Sequence, residues 1–158
     1  MKTIISTLLF TLLFSFSAFS AVTGSSLLQG KVSSRVSIEV FPEAVATGLD
    51  LSTTQTDLKV ASYREKSNAI LSGYRVTITS ANLGKLKRTD GAEVFPYSLK
   101  YDGTALNLST SAGTTYERWH IFYVNILRNL TISYTGKPAE QMVAGTYTDT
   151  ITCEIAAR

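Results

Sequence analysis

The chain has 158 residues, 15 basic and 12 acidic, with one histidine, one cysteine and a formal net charge of +3. A balance so close to neutral excludes the phosphate-neutralising charge of a nucleic-acid binder; its densest basic group, Lys85, Lys87 and Arg88, is too small to be one. The length suits one domain with a core of its own.

The first twenty residues combine Lys2, an apolar run from Ile4 to Phe16, and the small residues Ala18 and Ser20 around Phe19. That order of basic, apolar and small-x-small regions is a secretory signal peptide over residues 1–20, with the exported chain expected to begin at Ala21. The apolar run is too short to span a bilayer, so residues 1–20 are expected to be removed rather than kept as an anchor. Processing removes Lys2 and leaves 14 basic against 12 acidic residues. Export normally brings disulfides, yet Cys153 is alone and cannot form an internal bridge. Its apolar, alternating surroundings fit a small packed side chain, and no basic neighbour activates it.

Residues 21–34 read as an N-terminal extension. From Val22 the even positions are Val22, Gly24, Ser26, Leu28, Gly30 and Val32, and the same face continues through Val36, Ile38 and Val40. No turn dipeptide interrupts it. A segment colinear with the first strand cannot readily fold back on its own domain, but it can add as a strand to a neighbour's sheet.

The body, residues 35–158, is patterned with period two. Val36, Ile38 and Val40 form the first alternation, and residues 61–71 are compatible with a turn or two of helix. Tyr74, Val76 and Ile78 follow, then Phe95, Tyr97, Leu99 and Tyr101 as one strand. Residues 119–127 are apolar on both faces, as in a central strand with Trp119 in the core, and Leu130, Ile132 and Tyr134 resume the alternation. Residues 138–143 allow another helical turn. The last alternation places Tyr147, Ile151, Cys153 and Ile155 against threonines. Turn signals such as Asp90-Gly91 and Asp102-Gly103 divide these segments, and short strands at this spacing indicate a β-sandwich.

After Ile155 come Ala156, Ala157 and Arg158, which reach about 10 Å, whereas a strand needs about 17–20 Å. An immunoglobulin-like sandwich ending here lacks its final strand and leaves an apolar edge open. The expected acceptor edge is Tyr147, Asp149, Ile151, Cys153 and Ile155. The expected donor residues are Val22, Leu28, Gly30 and Val32.

The stretch Ala144-Gly145-Thr146-Tyr147-Thr148-Asp149-Thr150-Ile151-Thr152 resembles the closing strand of chaperone–usher pilins and of spore-coat-U-like secreted domains. The segments Gly73 to Thr79, Pro96 to Gly103, and Val36 to Pro42 followed by Leu49-Asp50-Leu51 are similar to interior strands of that group. The resemblance implies an all-β, incomplete immunoglobulin-like fold, completed by the N-terminal strand of a neighbouring subunit. It also implies a periplasmic chaperone that holds the final strand, and an outer-membrane usher. The chain departs from the group in lacking the disulfide common near its first strand. It departs also in the ending Cys153-Glu154-Ile155-Ala156-Ala157-Arg158, where the best-known branch has an aromatic.

Catalytic chemistry has little to stand on. Glu117 and His120 can be imagined as an acid–base pair or as two metal ligands, but zinc needs three or four convergent groups and no further His or Cys supplies them. No nucleophile elbow or phosphate loop is present. No catalytic residue, metal ligand or cofactor is therefore assigned. The sequons at Asn107 and Asn129 matter in a eukaryotic host alone. The expected function is a fimbrial subunit that polymerises by strand exchange for adhesion or biofilm. The alternative is a monomeric secreted β-sandwich that binds carbohydrate through exposed aromatics such as Tyr116 or Tyr123. A host or surface glycan is thus a candidate partner of either.

Overall fold

The computed structural model describes residues 23–158; the expected signal segment, residues 1–20, and the expected donor residue Val22 lie outside them. The chain divides into two units, Met1–Val32 and Ser33–Arg158. In the first, residues 23–32 form no regular secondary structure.

The second unit is all-β and antiparallel. Its strands are β1 (Val36–Pro42), β2 (Gln55–Ser67), β3 (Tyr74–Ser80), β4 (Lys85–Arg88), β5 (Val94–Pro96), β6 (Ser98–Tyr101), β7 (Thr104–Ala105), β8 (Thr114–Arg118), β9 (Val124–Tyr134), β10 (Tyr147–Thr148) and β11 (Ile151–Ala157). They build a five-stranded sheet, β1-β2-β9-β6-β7, and two three-stranded sheets, β11-β3-β8 and β10-β4-β5. Tyr63, Tyr101, Leu130 and Ile132 of the large sheet meet Tyr74, Val76 and Ile78 of the second and Leu86 and Phe95 of the third in one core. This unit is thus a sandwich whose smaller layer is split into two sheets. On β3 the period-two reading holds closely: Tyr74, Val76 and Ile78 are fully buried and Arg75 is exposed.

Four sequence expectations are corrected. Residues 61–71 are not helical, since β2 runs through residues 55–67 as the longest strand. Its inward face carries Tyr63, Glu65 and Ser67, and a buried glutamate breaks the apolar alternation that would mark a strand. Residues 95–101 are two strands in different sheets. The chain changes layer at Tyr97, whose N–H donates to the Gly84 carbonyl at 3.1 Å. Trp119 lies in the connection after β8 and is 61% exposed, so the apolar run of residues 119–123 is a loop and the central strand begins at Val124. The last alternation is interrupted at Asp149 and Thr150, so that β10 joins β4 and β11 joins β3. Residues 139–141 do form a short 3-10 turn.

The sandwich has a proximal and a distal end. The proximal end gathers the start of β1, the β2–β3 and β8–β9 connections and the end of β11. There Val36 faces Ser67, Tyr74 faces Arg118, and Tyr74 also faces Ala157. Gly73 (φ +73) is needed in its turn, because a Cβ would lie 2.2 Å from the Arg118 carbonyl oxygen. The distal end gathers the end of β1 and the start of β11.

Candidate strand-accepting groove

Among the described residues β1 pairs with β2 alone and β11 with β3 alone, so each presents an edge that no described strand covers. The strands run in opposite directions and approach within 8 Å between Cα atoms, yet they share no ladder. Val36 and Ile38 of β1 and Ile151, Cys153 and Ile155 of β11 are all half-buried and packed on the core. The alternation on β11 aims these three side chains inward and leaves Thr152, Glu154 and Ala156 outside. What results is a seam of unpaired backbone lined by apolar side chains. Edges of this kind demand a cover.

At its distal end the seam opens into a cavity of about 710 Å³. Residues 46–52 and 142–149, with Leu86 and Ala139, line it. Asp149 fixes this mouth. Its carboxylate accepts from Ser80 Oγ at 2.6 Å, Tyr97 OH at 2.5 Å, the Asn82 N–H at 3.0 Å and the Thr150 N–H at 2.7 Å. Burial first, and then this bond to Asp149, push the Tyr97 phenol above its ordinary value, so it stays a donor. One aspartate thereby turns the chain from β10 into β11 and ties that turn to the end of β3 and to the junction of β5 and β6.

Beneath the seam sits a buried polar cluster that the sequence did not signal. Glu65 is fully buried and accepts from Tyr74 OH and Tyr101 OH, each at 2.6 Å. Arg128 Nε stands 3.0 Å away from Glu65, and the same guanidinium pairs with Asp102. Burial, followed by the bonds to Glu65, raises both tyrosines, which therefore remain protonated donors. Burial and then the nearby Glu65 charge push the Cys153 thiol up to about 12. It is an inert apolar wall residue at neutral pH.

The expected acceptor residues occupy different places. Ile151, Cys153 and Ile155 line the seam, and Tyr147 borders the cavity with its OH on the Val143 carbonyl at 2.9 Å. Asp149 holds the turn between them. Of the expected donor residues, Leu28 is 92% and Val32 87% exposed, and a Cβ on Gly30 would meet nothing within 4 Å. Glu117 pairs with Arg75 at 2.7 Å, while His120 stacks on Tyr74 with centroids 5.2 Å apart. Tyr116 is half-buried against Tyr101 and is not the free aromatic the binding-module reading wanted; Tyr123 is exposed. Among the described residues no group of three or more His, Cys, Asp or Glu is placed to hold a metal ion. No helix among them is long and apolar enough to cross a membrane.

No family model matches the sequence, and no curated protein matches it. Among solved structures, a similar chain is HdaB, the minor tip subunit of the E. coli Hda pilus. Identity is 14% and the TM-score 0.41, over 76% of this chain and 80% of that one.

Proposed function

We propose that the chain is an exported structural subunit of a surface fimbria and that it polymerises by donor-strand exchange. The observation that carries the reading is the seam: two free edges, β1 and β11, facing each other across half-buried apolar side chains. A strand laid there, once β1 and β11 have parted from their approach within 8 Å to the roughly 9.5 Å of two strand spacings, gains main-chain hydrogen bonds from an edge and buries alternate side chains. Residues 21–34 of a second copy supply such a strand, with Leu28 and Val32 as the buried pair and Gly30 between them. A strand between β1 and β11 lies antiparallel to one and parallel to the other; the antiparallel ladder is placed on β11, whose seven residues all carry an N–H, whereas β1 ends in Pro42, which lacks one. A periplasmic chaperone would cover the seam during transit and an outer-membrane usher would pass the subunit outward. The assembled fibre would serve adhesion or biofilm formation.

Burying each apolar side chain contributes roughly 1.5–3 kcal/mol. Changing Leu28 and Val32 together to Asp should therefore abolish fibre formation. Circular dichroism should show the body unaffected, because both side chains are exposed. Normal fibres from the double variant, seen by electron microscopy, would show that any polymer uses another surface.

A further inference from the structure

Six large apolar side chains are exposed together at the proximal end, in two connections that touch each other. Ile70 and Leu71 lie in the β2–β3 connection; Trp119, Ile121, Phe122 and Tyr123 lie in the β8–β9 connection, each more than half exposed. The Leu71 N–H donates to the His120 carbonyl at 3.0 Å and joins the two loops. Scattered apolar surface residues need no explanation, but a contiguous patch of this kind marks a contact surface.

We propose that this patch is the body-to-body contact between consecutive subunits, and that its occupant is the distal face of a second copy. The inference rests on the strand-exchange reading and adds a second interface to it. Chain length carries it. Asn68, in the same β2–β3 connection, holds the exit of the N-terminal segment: its Nδ2 donates to the Ser33 carbonyl at 3.0 Å, and its Oδ1 accepts from the Arg35 N–H at 2.6 Å. If Val32 sits in a neighbour's seam while Ser33 is fixed beside this patch, about 3.8 Å of chain per residue separates the two bodies. That spacing leaves no room for a gap. The patch must abut the neighbour whichever way the strand enters.

An antiparallel ladder with β11 decides which face it meets. The inserted strand then runs toward the start of β11, so its C-terminal end emerges at the distal end. The donor's patch comes to rest on the rim of the distal cavity, where Val143 is exposed and Met142 half-buried. A sugar ligand would want polar groups interleaved with the aromatics, whereas Trp119, Phe122 and Tyr123 are here grouped with the aliphatic Ile70, Leu71 and Ile121.

The test uses the full exported chain with Cys153 kept, Phe122→Cys and Val143→Cys introduced together, and assembled fibres treated at neutral pH with a short bismaleimide linker, each single cysteine variant serving as the control. The expected result is a ladder of covalent multimers on a denaturing gel. Fibres that form but give monomers would overturn this contact and leave strand exchange intact. Absence of fibres from the unmodified chain would overturn the underlying reading itself. A second variant, W119S/F122S, keeps the strand and removes the patch. It should still polymerise, with fibres that dissociate in denaturant roughly tenfold or more faster. Unchanged dissociation, with loss of binding to a glycan or a lipid vesicle instead, would overturn the contact and assign the patch to that ligand.

Discussion

At the scale of single residues, two carboxylates do most to define the body. Glu65 is fully buried and meets two phenols and a guanidinium, so its charge is balanced where it sits. Removing one member of a buried ion pair costs about 3–5 kcal/mol, because the partner is left uncompensated. Glu65→Ala, which leaves both tyrosine hydroxyls without an acceptor and Arg128 with Asp102 as its one remaining carboxylate, should lower stability by about that amount in urea denaturation of a monomeric form. A loss under about 1 kcal/mol would mean the cluster is spectator to the fold. Asp149 is different in kind. It is read from sequence as one member of an edge, yet its four accepted bonds make it the clasp that separates β10 from β11. A polar residue's partners come from segments far apart in the chain, as Ser80 and Tyr97 do here, and no local pattern announces them.

At the scale of elements, the proposed strand exchange turns on β11. Cys153 is the chain's single thiol and faces the seam, so it reports on whether the seam is filled. Its pKa in the folded body is raised to about 12, above the ordinary thiol value. The stabilisation this represents is present below the unfolded thiol pKa and is lost as pH climbs through about 12. At pH about 8.5 the folded thiol is therefore protonated and should alkylate far more slowly than in the urea-unfolded chain. It should slow further in fibres, where an inserted strand covers it. Equal alkylation of monomer and fibre would place the polymer contact elsewhere. Period-two alternation made β3 and β11 legible because each has one face on the core and one in solvent; on β1, Val36 and Ile38 pack on the core as expected, whereas Val40 is exposed. It failed on β2, whose inward face holds Glu65, and on residues 119–123, where apolar side chains that look like a buried strand are exposed. Apolar character alone does not distinguish burial within a chain from burial against another one. The layer change at Tyr97 was hidden for a further reason: a strand that switches sheets keeps its alternation.

At the scale of the whole molecule, one side of the sandwich is unfinished. The large sheet stops at β1, a smaller sheet stops at β11, and the apolar row between them is half-buried with no backbone partner. On the proposed reading, the exposed Leu28 and Val32 of a second copy fill that row. Because β11 ends at the proximal end, a strand appended after Arg158 would turn back along it antiparallel, in the orientation proposed for the donor. The most direct test removes residues 21–34 and compares the remaining body with and without a copy of residues 26–34 joined after Arg158 by a short flexible linker. Burial of the two apolar side chains should raise the melting temperature by at least about 10 °C and give a monomer, whereas the body alone should be less stable and associate. A body that is already a stable monomer, and whose melting temperature the added strand leaves unchanged, would refute strand exchange at this seam.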